Sequence, residues 1–508
     1  FFNYGWIGYD HRVAAAHYEP WWLALHGSRG VSYYATNSMD VARGTSWSLV
    51  YPNLQFTPYS NAVAEAMRDL RAGCGKIFLE YQREQPKIAL LWSYPSMLAS
   101  WCESTCDEPE PNEQPGSDSF VTHYLSALHF RQHVNELQLD YVYVAPDQIL
   151  GSDILRQYPV LFLPFTVAIS QPLVEKLQAY VQEGGILIGD LRCLRTDEHG
   201  TPFAGPQPLE QLFGVDRGEG QIRYGRTKVT FTMPGEGIDL RGRQVELYGR
   251  ETVAGKGALA LAAHATGEPA VLVRRQGKGL CIYLNFCFPP YDPVTRELVA
   301  QIARRAGVAP SLWVEALGGD SPPRCYERNT FTRGPLAVHA LIRDHRRCTD
   351  TDPVGLRFSQ LAHVYDVRAK KYHGRNDTLA TTLAPGETAL YASLPYRVTG
   401  LEVQVPERVT AGASMELSCA VRADGQQLGD HVLHVELRDQ AGRIVPHYCQ
   451  NVLAPAGRIT LQIPLALSES PGTWSVQVCD VLTGSTTDRP FQVIAPKAQP
   501  VDGGGAGL

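Results

Sequence analysis

VLFLPFTVAISQPLVEKLQAYVQEGGILIG, residues 160–189, is the stretch on which the fold turns. Its first ten residues, Val160 to Ile169, are nearly all apolar. That is about half of what a membrane-spanning helix needs, and Pro164 and Thr166 suit a buried strand and its exit. Gln171 to Gln182 reads as a helix that stops at Gly184 and Gly185, where glycine closes the last turn. Ile186 to Gly189 is a second short apolar strand. Strand, helix, strand is the repeat of a parallel, doubly wound sheet, whose strands are buried on both faces and so read as continuous apolar runs.

Working outward, Lys87 to Trp92 is another apolar strand, and Phe120 to Gln138 is a helix with Val121, Tyr124, Leu125 and Leu128 on one face. The β-branched, alternating text from Gln221 to Arg275 predicts an antiparallel insertion before the strand Leu280 to Phe286. Ser104 to Ser119, rich in Pro, Glu, Asp and Ser, is a surface loop. This α/β domain spans residues 86–310. Upstream, residues 1–85 alternate a strand (Phe1 to Ile7), a helix (His17 to His26) and a strand (Gly30 to Ala35). A long helix follows from an N-cap at Ser60, with Val63, Met67, Leu70, Cys74, Ile77 and Tyr81 as its stripe. Two strands and their helices cannot close a core alone, so the segment reads as the tail of a larger barrel. From Ser311 helical periodicity gives way to short alternating strands: one β module over 311–396, and an immunoglobulin-like sandwich over 397–495 with a turn at Asp439 to Gly442. Residues 496–508 form a flexible tail. The fold class is therefore multidomain α/β plus β.

The 508 residues, 44% hydrophobic and 19% charged, can bury several cores. A net charge of −6 without basic runs argues against nucleic acid, and no apolar run is long enough for a membrane span. Eleven cysteines spread along the chain read as reduced, mostly buried thiols, which leans toward the cytoplasm, although β-sandwich appendages are equally common outside the cell and the compartment stays open. Cys102 and Cys106 lack a second pair at zinc spacing, and His129 and His133 enclose no glutamate, so neither a metal nor a cofactor is expected. Phe1 opens on text that resembles the inside of a domain, and a natural beginning further upstream is expected.

Of the carboxylates in residues 1–85, Asp10 directly follows a strand and is the weak catalytic candidate; a loop or helix-start role is the alternative. Trp6 and Tyr34 on strands, and Asn37 just past one, are the substrate-contact candidates, whereas Trp21 and Trp22 belong to a helix and to the core. In residues 86–310 no glycine-rich phosphate loop follows the first strand, and Leu163-Pro-Phe-Thr166 is no nucleophile elbow. Cys193, after Asp190, is the one thiol at a strand end, with an inert buried role as its alternative.

Three stretches resemble glycoside hydrolase family 42, the β-galactosidases, and its uncharacterised relatives. Pro20-Trp-Trp-Leu-Ala-Leu-His-Gly-Ser-Arg-Gly-Val-Ser-Tyr-Tyr34 is similar to the last helix and strand of that family's (β/α)8 barrel. Lys87-Ile-Ala-Leu-Leu-Trp-Ser-Tyr-Pro-Ser96, together with 160–164 and 180–188, resembles its trimerisation domain, a flavodoxin- or amidotransferase-like fold. Gly267-Glu-Pro-Ala270, Gly277-Lys-Gly279 and Tyr283-Leu-Asn-Phe286 complete that pattern. The resemblance implies a retaining mechanism with two glutamates, a β-galactoside or oligosaccharide substrate and a homotrimer. Phe1 to Asp10 contain no glutamate, so the acid/base and nucleophile are expected upstream of residue 1, or the branch has lost them. The family's zinc-binding cysteine cluster has no match. The expectation is the C-terminal portion of a β-galactosidase-like hydrolase, inactive alone. The alternatives are a non-catalytic oligomerisation or carbohydrate-binding protein with a degenerate barrel, and an amidotransferase-like enzyme using Cys193.

Overall fold

The computed structural model describes residues 3–6, 13–34, 49–51, 53–105, 123–205, 207–218, 222–317, 323, 325–345, 348, 351, 353–425 and 427–496. Nine strands between residues 88 and 284 form one sheet: β1 Ile88–Leu91, β2 Tyr141–Val144, β3 Val160–Leu163, β4 Ile186–Gly189, β5 Ile222–Phe231, β6 Gln244–Glu251, β7 Leu259–His264, β8 Pro269–Gln276 and β9 Gly279–Leu284. Their spatial order is β6-β5-β7-β8-β9-β4-β3-β1-β2. The run β2-β1-β3-β4-β9 is parallel, with Ile88 opposite Tyr141 and Val160, and Ile186 opposite Val160 and Leu280. This is the flavodoxin-type order. The remaining strands pair antiparallel beyond β9.

Alternation explains why these strands are apolar throughout. Ile88, Leu90, Val160, Phe162, Ile186 and Ile188 face the helices His123–Glu136 and Pro293–Arg305. Ala89, Leu91, Leu161, Leu163 and Leu187 face the helix Gln171–Glu183. With both faces covered, each large aliphatic side chain contributes roughly 1.5–3 kcal/mol of burial. Gly184 ends the helix at φ +126°, a conformation that favours glycine.

The helix His123–Glu136 departs from expectation. It buries His123, Ser126, Ala127, Phe130, Gln132, His133 and Val134, while Tyr124 is exposed and Leu125 and Leu128 only half-buried. Ala127, Phe130 and Val134 anchor the inward face, His123, Ser126 and His133 enter it beside them on hydrogen bonds, and Val121 of the stripe read from sequence lies outside the described residues.

The chain divides into two units, Gln85–Pro310 and a composite of Phe1–Glu84 with Ser311–Leu508. In the composite unit Asn3–Trp6 pairs in parallel with Val31–Tyr34, and the helix Val13–Leu25 connects them. The next helix, Pro58–Asp69, is capped by Thr57 instead of Ser60: the Ser60 amide donates to Thr57 Oγ1 at 3.3 Å, and Pro58 fits the first turn, where no N–H is needed. It then passes through a π-helical turn, Leu70–Cys74, into Gly75–Glu80. Gly73 sits in this turn at φ +119°, and any side chain there would run into Val481. Periodicity alone could not show this interruption.

Gln82–Arg83 adds to the edge strand Tyr326–Arg333 of a seven-stranded sheet with Leu312–Ala316, Leu336–Arg343, Val354–Asp366, Lys371–Thr381 and Thr388–Leu394. A three-stranded and a five-stranded sheet follow, covering Val398–Ile494 as a sandwich that buries Trp474, Val476 and Val478. Trp21, Leu25, Ile77 and Tyr81 share one buried cluster with Phe331, Val338, Val435 and Trp474. The helical stripe thus packs on the β modules.

The expectation of reduced thiols needs one correction: Cys325 and Cys348 form a disulfide, with Cα atoms 6.6 Å apart, across the hairpin Tyr326–Arg343. Sequence spacing does not mark this pair, because the hairpin brings its ends together. Denatured without reductant, the protein should titrate two thiols fewer than its eleven cysteines, and all eleven after reduction. Equal counts would refute the pairing.

Candidate functional site

In a doubly wound sheet the ligand crevice lies where successive crossovers leave the first strand in opposite directions. Here that point is between the carboxyl ends of β1 and β3. Trp92 and Ser93 follow β1, Pro164 and Phe165 follow β3, and Asp190 follows β4.

These groups are closed on one another. His123 donates from Nδ1 to the Pro164 carbonyl at 2.6 Å, and its Nε2 accepts the Ser93 amide at 3.4 Å. Burial brings this imidazole down to about 4, so it stays neutral in that role. Ser93 Oγ donates to Ser96 Oγ at 2.9 Å, and Ser96 Oγ donates to the Ala168 carbonyl at 3.0 Å while accepting the Ala168 amide at 3.1 Å. Asp190 is fully buried; the Phe165 amide donates to Oδ1 at 2.5 Å, and Ser126 bonds Oδ2. Burial outweighs these bonds and pushes the Asp190 carboxyl up to about 8.

A second buried network sits beside the first. Glu251 on β6 receives Arg195 Nη1 at 2.8 Å, Arg217 Nε at 3.1 Å and the Tyr283 hydroxyl at 2.8 Å. Arg217 also donates to the carbonyls of Cys193 at 2.6 Å and Leu194 at 3.4 Å. It thereby holds a turn in which Arg192 and Leu194 both have positive φ, +65° and +62°. Asn285 bonds the Glu251 amide and carbonyl at 2.8 and 2.9 Å. Cys193 lies wholly inside this turn, and burial raises its thiol well above the ordinary range. Glu251 is held by Arg195 and Arg217, and Asp190 by Ser126 and the Phe165 amide, so neither carboxylate is placed to serve it as a general base. The amidotransferase-like alternative loses its nucleophile.

The histidine pair also has a structural use. His129 and His133 donate to the carbonyls of Phe288 and Pro289 at 2.7 and 2.8 Å. Among the described residues no cluster of three or more metal-ligating side chains occurs, and no helix is long and apolar enough to cross a membrane.

The sequence-derived substrate contacts fall in the composite unit. Trp6 and Tyr34 are register partners in the parallel strand pair. Asp10 and Asn37 lie outside the described residues. Trp21 is fully buried, and Trp22 donates to Glu327 Oε2 at 3.2 Å. Sequence reasoning did not find Glu251, Arg195 and Arg217, because ion-pair partners 56 and 34 residues apart follow no periodicity.

Residues 121–309 match the family described as the β-galactosidase trimerisation domain. The chain resembles the β-galactosidases of glycoside hydrolase family 42. It is 25% identical over 207 residues to β-galactosidase LacZ of Heyndrickxia coagulans, covering 38% of this chain and 28% of that protein. To β-galactosidase BglY of Alicyclobacillus acidocaldarius it is 29% identical over 178 residues, covering 33% and 25%. In fold it is similar to the β-galactosidase of Bacillus circulans sp. alkalophilus (TM-score 0.60, 14% identity, 75% of this chain and 52% of that one). The cold-adapted β-galactosidase of Rahnella sp. R3 is similar at TM-score 0.57, with 16% identity over 75% and 51% of the two chains. The chain thus spans about half the length of these structures, and the matched region about a quarter of the curated relatives.

Proposed function

We propose that this chain is the C-terminal portion of a glycoside hydrolase acting on β-linked sugars, a β-galactosidase with a retaining two-glutamate mechanism whose catalytic pair lies upstream of residue 1. The match of residues 121–309 to a β-galactosidase domain carries this reading. The parallel strand–helix–strand unit before it supports the reading, since the last strands of a (β/α)8 barrel have that form. In this scheme Trp6, Tyr34 and Asn37 remain the candidate sugar contacts and Asp10 the candidate catalytic side chain. Residues 86–310 assemble three copies, and the modules 311–396 and 397–495 with the tail 496–508 complete the subunit. The closed crevice of the middle unit fits a scaffolding role, because its polar groups are spent on one another.

A second reading, a non-catalytic oligomerising or sugar-binding protein, draws on the lack of glutamate from Phe1 to Asp10. The intact mass of the protein in its source, detected through a peptide of residues 160–189, separates the two. The hydrolase reading expects a product heavier than 56.1 kDa by roughly 20 kDa or more, the missing part of a barrel, that cleaves a nitrophenyl β-galactoside. A 56.1 kDa product without hydrolysis would overturn it in favour of assembly or sugar binding.

A further inference from the structure

The helix Val13–Leu25 ends in a turn that leads into the strand Val31–Tyr34, and His26 opens that turn. Both nitrogens of its ring face acceptors. Nδ1 lies 2.7 Å from the Trp22 carbonyl, and Nε2 lies 2.9 Å from Glu327 Oε1 on the strand Tyr326–Arg333. A carbonyl and a carboxylate oxygen can only accept, so the ring satisfies both contacts when it carries two protons and a positive charge. It also lies against the Trp22 indole, with ring centroids 4.3 Å apart, and an aromatic face attracts a cation. Glu327 has further partners: Trp22 Nε1 donates to Oε2 at 3.2 Å, Asn329 Nδ2 donates to Oε1 at 3.2 Å, and Arg83 Nε in turn donates to Asn329 Oδ1 at 2.7 Å. The pair is only partly open to water, with the His26 side chain 26% exposed and that of Glu327 20%. The charged groups acting on the ring are Glu327, which favours its proton, and Arg83 on the strand Gln82–Arg83, which opposes it.

We infer that His26 is a pH-sensitive latch: its imidazolium ties the turn after the helix Val13–Leu25 to Glu327, and loss of the Nε2 proton releases that turn while Trp22 and Asn329 keep hold of the carboxylate. A neutral ring that spends its one proton on the Trp22 carbonyl turns the Nε2 lone pair toward Glu327, and the two repel. Burial disfavours the charged ring, but Glu327 outweighs burial and Arg83 together and holds the imidazole above its ordinary 6.5. Burial would raise the Glu327 carboxyl, yet His26, Asn329 and Arg83 bring it down to about 2, so it stays charged wherever the ring titrates. Because the folded value of His26 is raised, the latch contributes fully below pH 6.5 and is lost as the pH rises through the folded value. The released turn is the one that feeds the strand Val31–Tyr34.

The test is a pH titration of the full chain carrying 13C-labelled histidine, with His26→Gln used to assign the His26 signal. In the wild type the ring should titrate above 6.5, and in Glu327→Gln, which keeps an acceptor but removes the charge, the midpoint should fall to 6.5 or below. Amide exchange of peptides covering residues 22–34, corrected for the intrinsic pH dependence of exchange, reads the turn itself. Its protection should fall about tenfold in the wild type between pH 6 and pH 9 and stay level in His26→Gln. Should Glu327→Gln fail to fold, the wild-type midpoint and the exchange data decide. A wild-type His26 that titrates at or below 6.5, or wild-type protection that stays level over this range, overturns the latch. An equal fall of protection in His26→Gln would assign the response to another group and overturn it as well.

Discussion

Replacing Glu251 with glutamine should destabilise the Gln85–Pro310 unit by about 3–5 kcal/mol, the usual loss when one partner of a buried ion pair is removed. The carboxylate is fully buried and balances two guanidiniums, of which Arg217 is only 12% exposed. Glutamine preserves shape and can still accept the Tyr283 hydroxyl, but it leaves Arg195 and Arg217 without a counter-charge. Since Arg217 also holds the carbonyls of Cys193 and Leu194, the strained turn after β4 should open with it. Hydrogen exchange of peptides covering residues 186–196 and 244–251 would therefore accelerate, alongside a lower urea midpoint. Tyr283→Phe, which removes one hydrogen bond and no charge, should cost only about 1 kcal/mol. Equal effects of the two substitutions would show that the charge balance is unimportant.

Asp190→Asn should change the pH dependence of stability. Asp190 has an ordinary value of 3.8 and stands at about 8 in the folded chain, so the folded state keeps a proton that the unfolded chain releases. The stability tied to that proton is complete below about pH 4 and is lost as the pH rises through 8. Each unit is about 1.36 kcal/mol, so the loss is on the order of several kcal/mol. Asparagine cannot ionise and can accept the Phe165 amide while facing Ser126, so the variant should keep its stability over the same range. Urea midpoints of wild type and variant at pH 4, 6, 8 and 9 should diverge steadily up to pH 8 and then run parallel. Parallel profiles from pH 4 onward would mean that Asp190 is ionised in the folded protein.

Both predictions concern groups whose partners are remote in sequence, and that remoteness limited what the sequence could disclose. Asp190 was visible only as a residue after a strand. Its environment is assembled from Ser126 on a helix and Phe165 after a different strand, 64 and 25 residues away. The crevice itself was not legible, since the bonds that join His123 to Pro164 and Ser96 to Ala168 link residues 41 and 72 positions apart. The candidate sugar contacts are a different case: Trp6 and Tyr34 prove to be register partners, while Asp10 and Asn37 lie outside the described residues.

By itself the sequence determined the parallel α/β core. Residues 88–91, 160–163 and 186–189 are apolar at every position because both sheet faces are covered, and a helix ended by Gly184 joins the last two. It also determined the alternating strands of the last sandwich, where one face is buried and period two leaves its mark. Only the tertiary structure decided which face of His123–Glu136 goes inward, where the helix after Thr57 breaks at Gly73, and that Cys325 joins Cys348. It alone decided that Trp21, Leu25, Ile77 and Tyr81 share a core with strands more than two hundred positions later. Period and propensity are properties of neighbours along the chain, whereas the packing of Gly73 on Val481, or of Glu251 between two arginines, depends on what the fold brings to them.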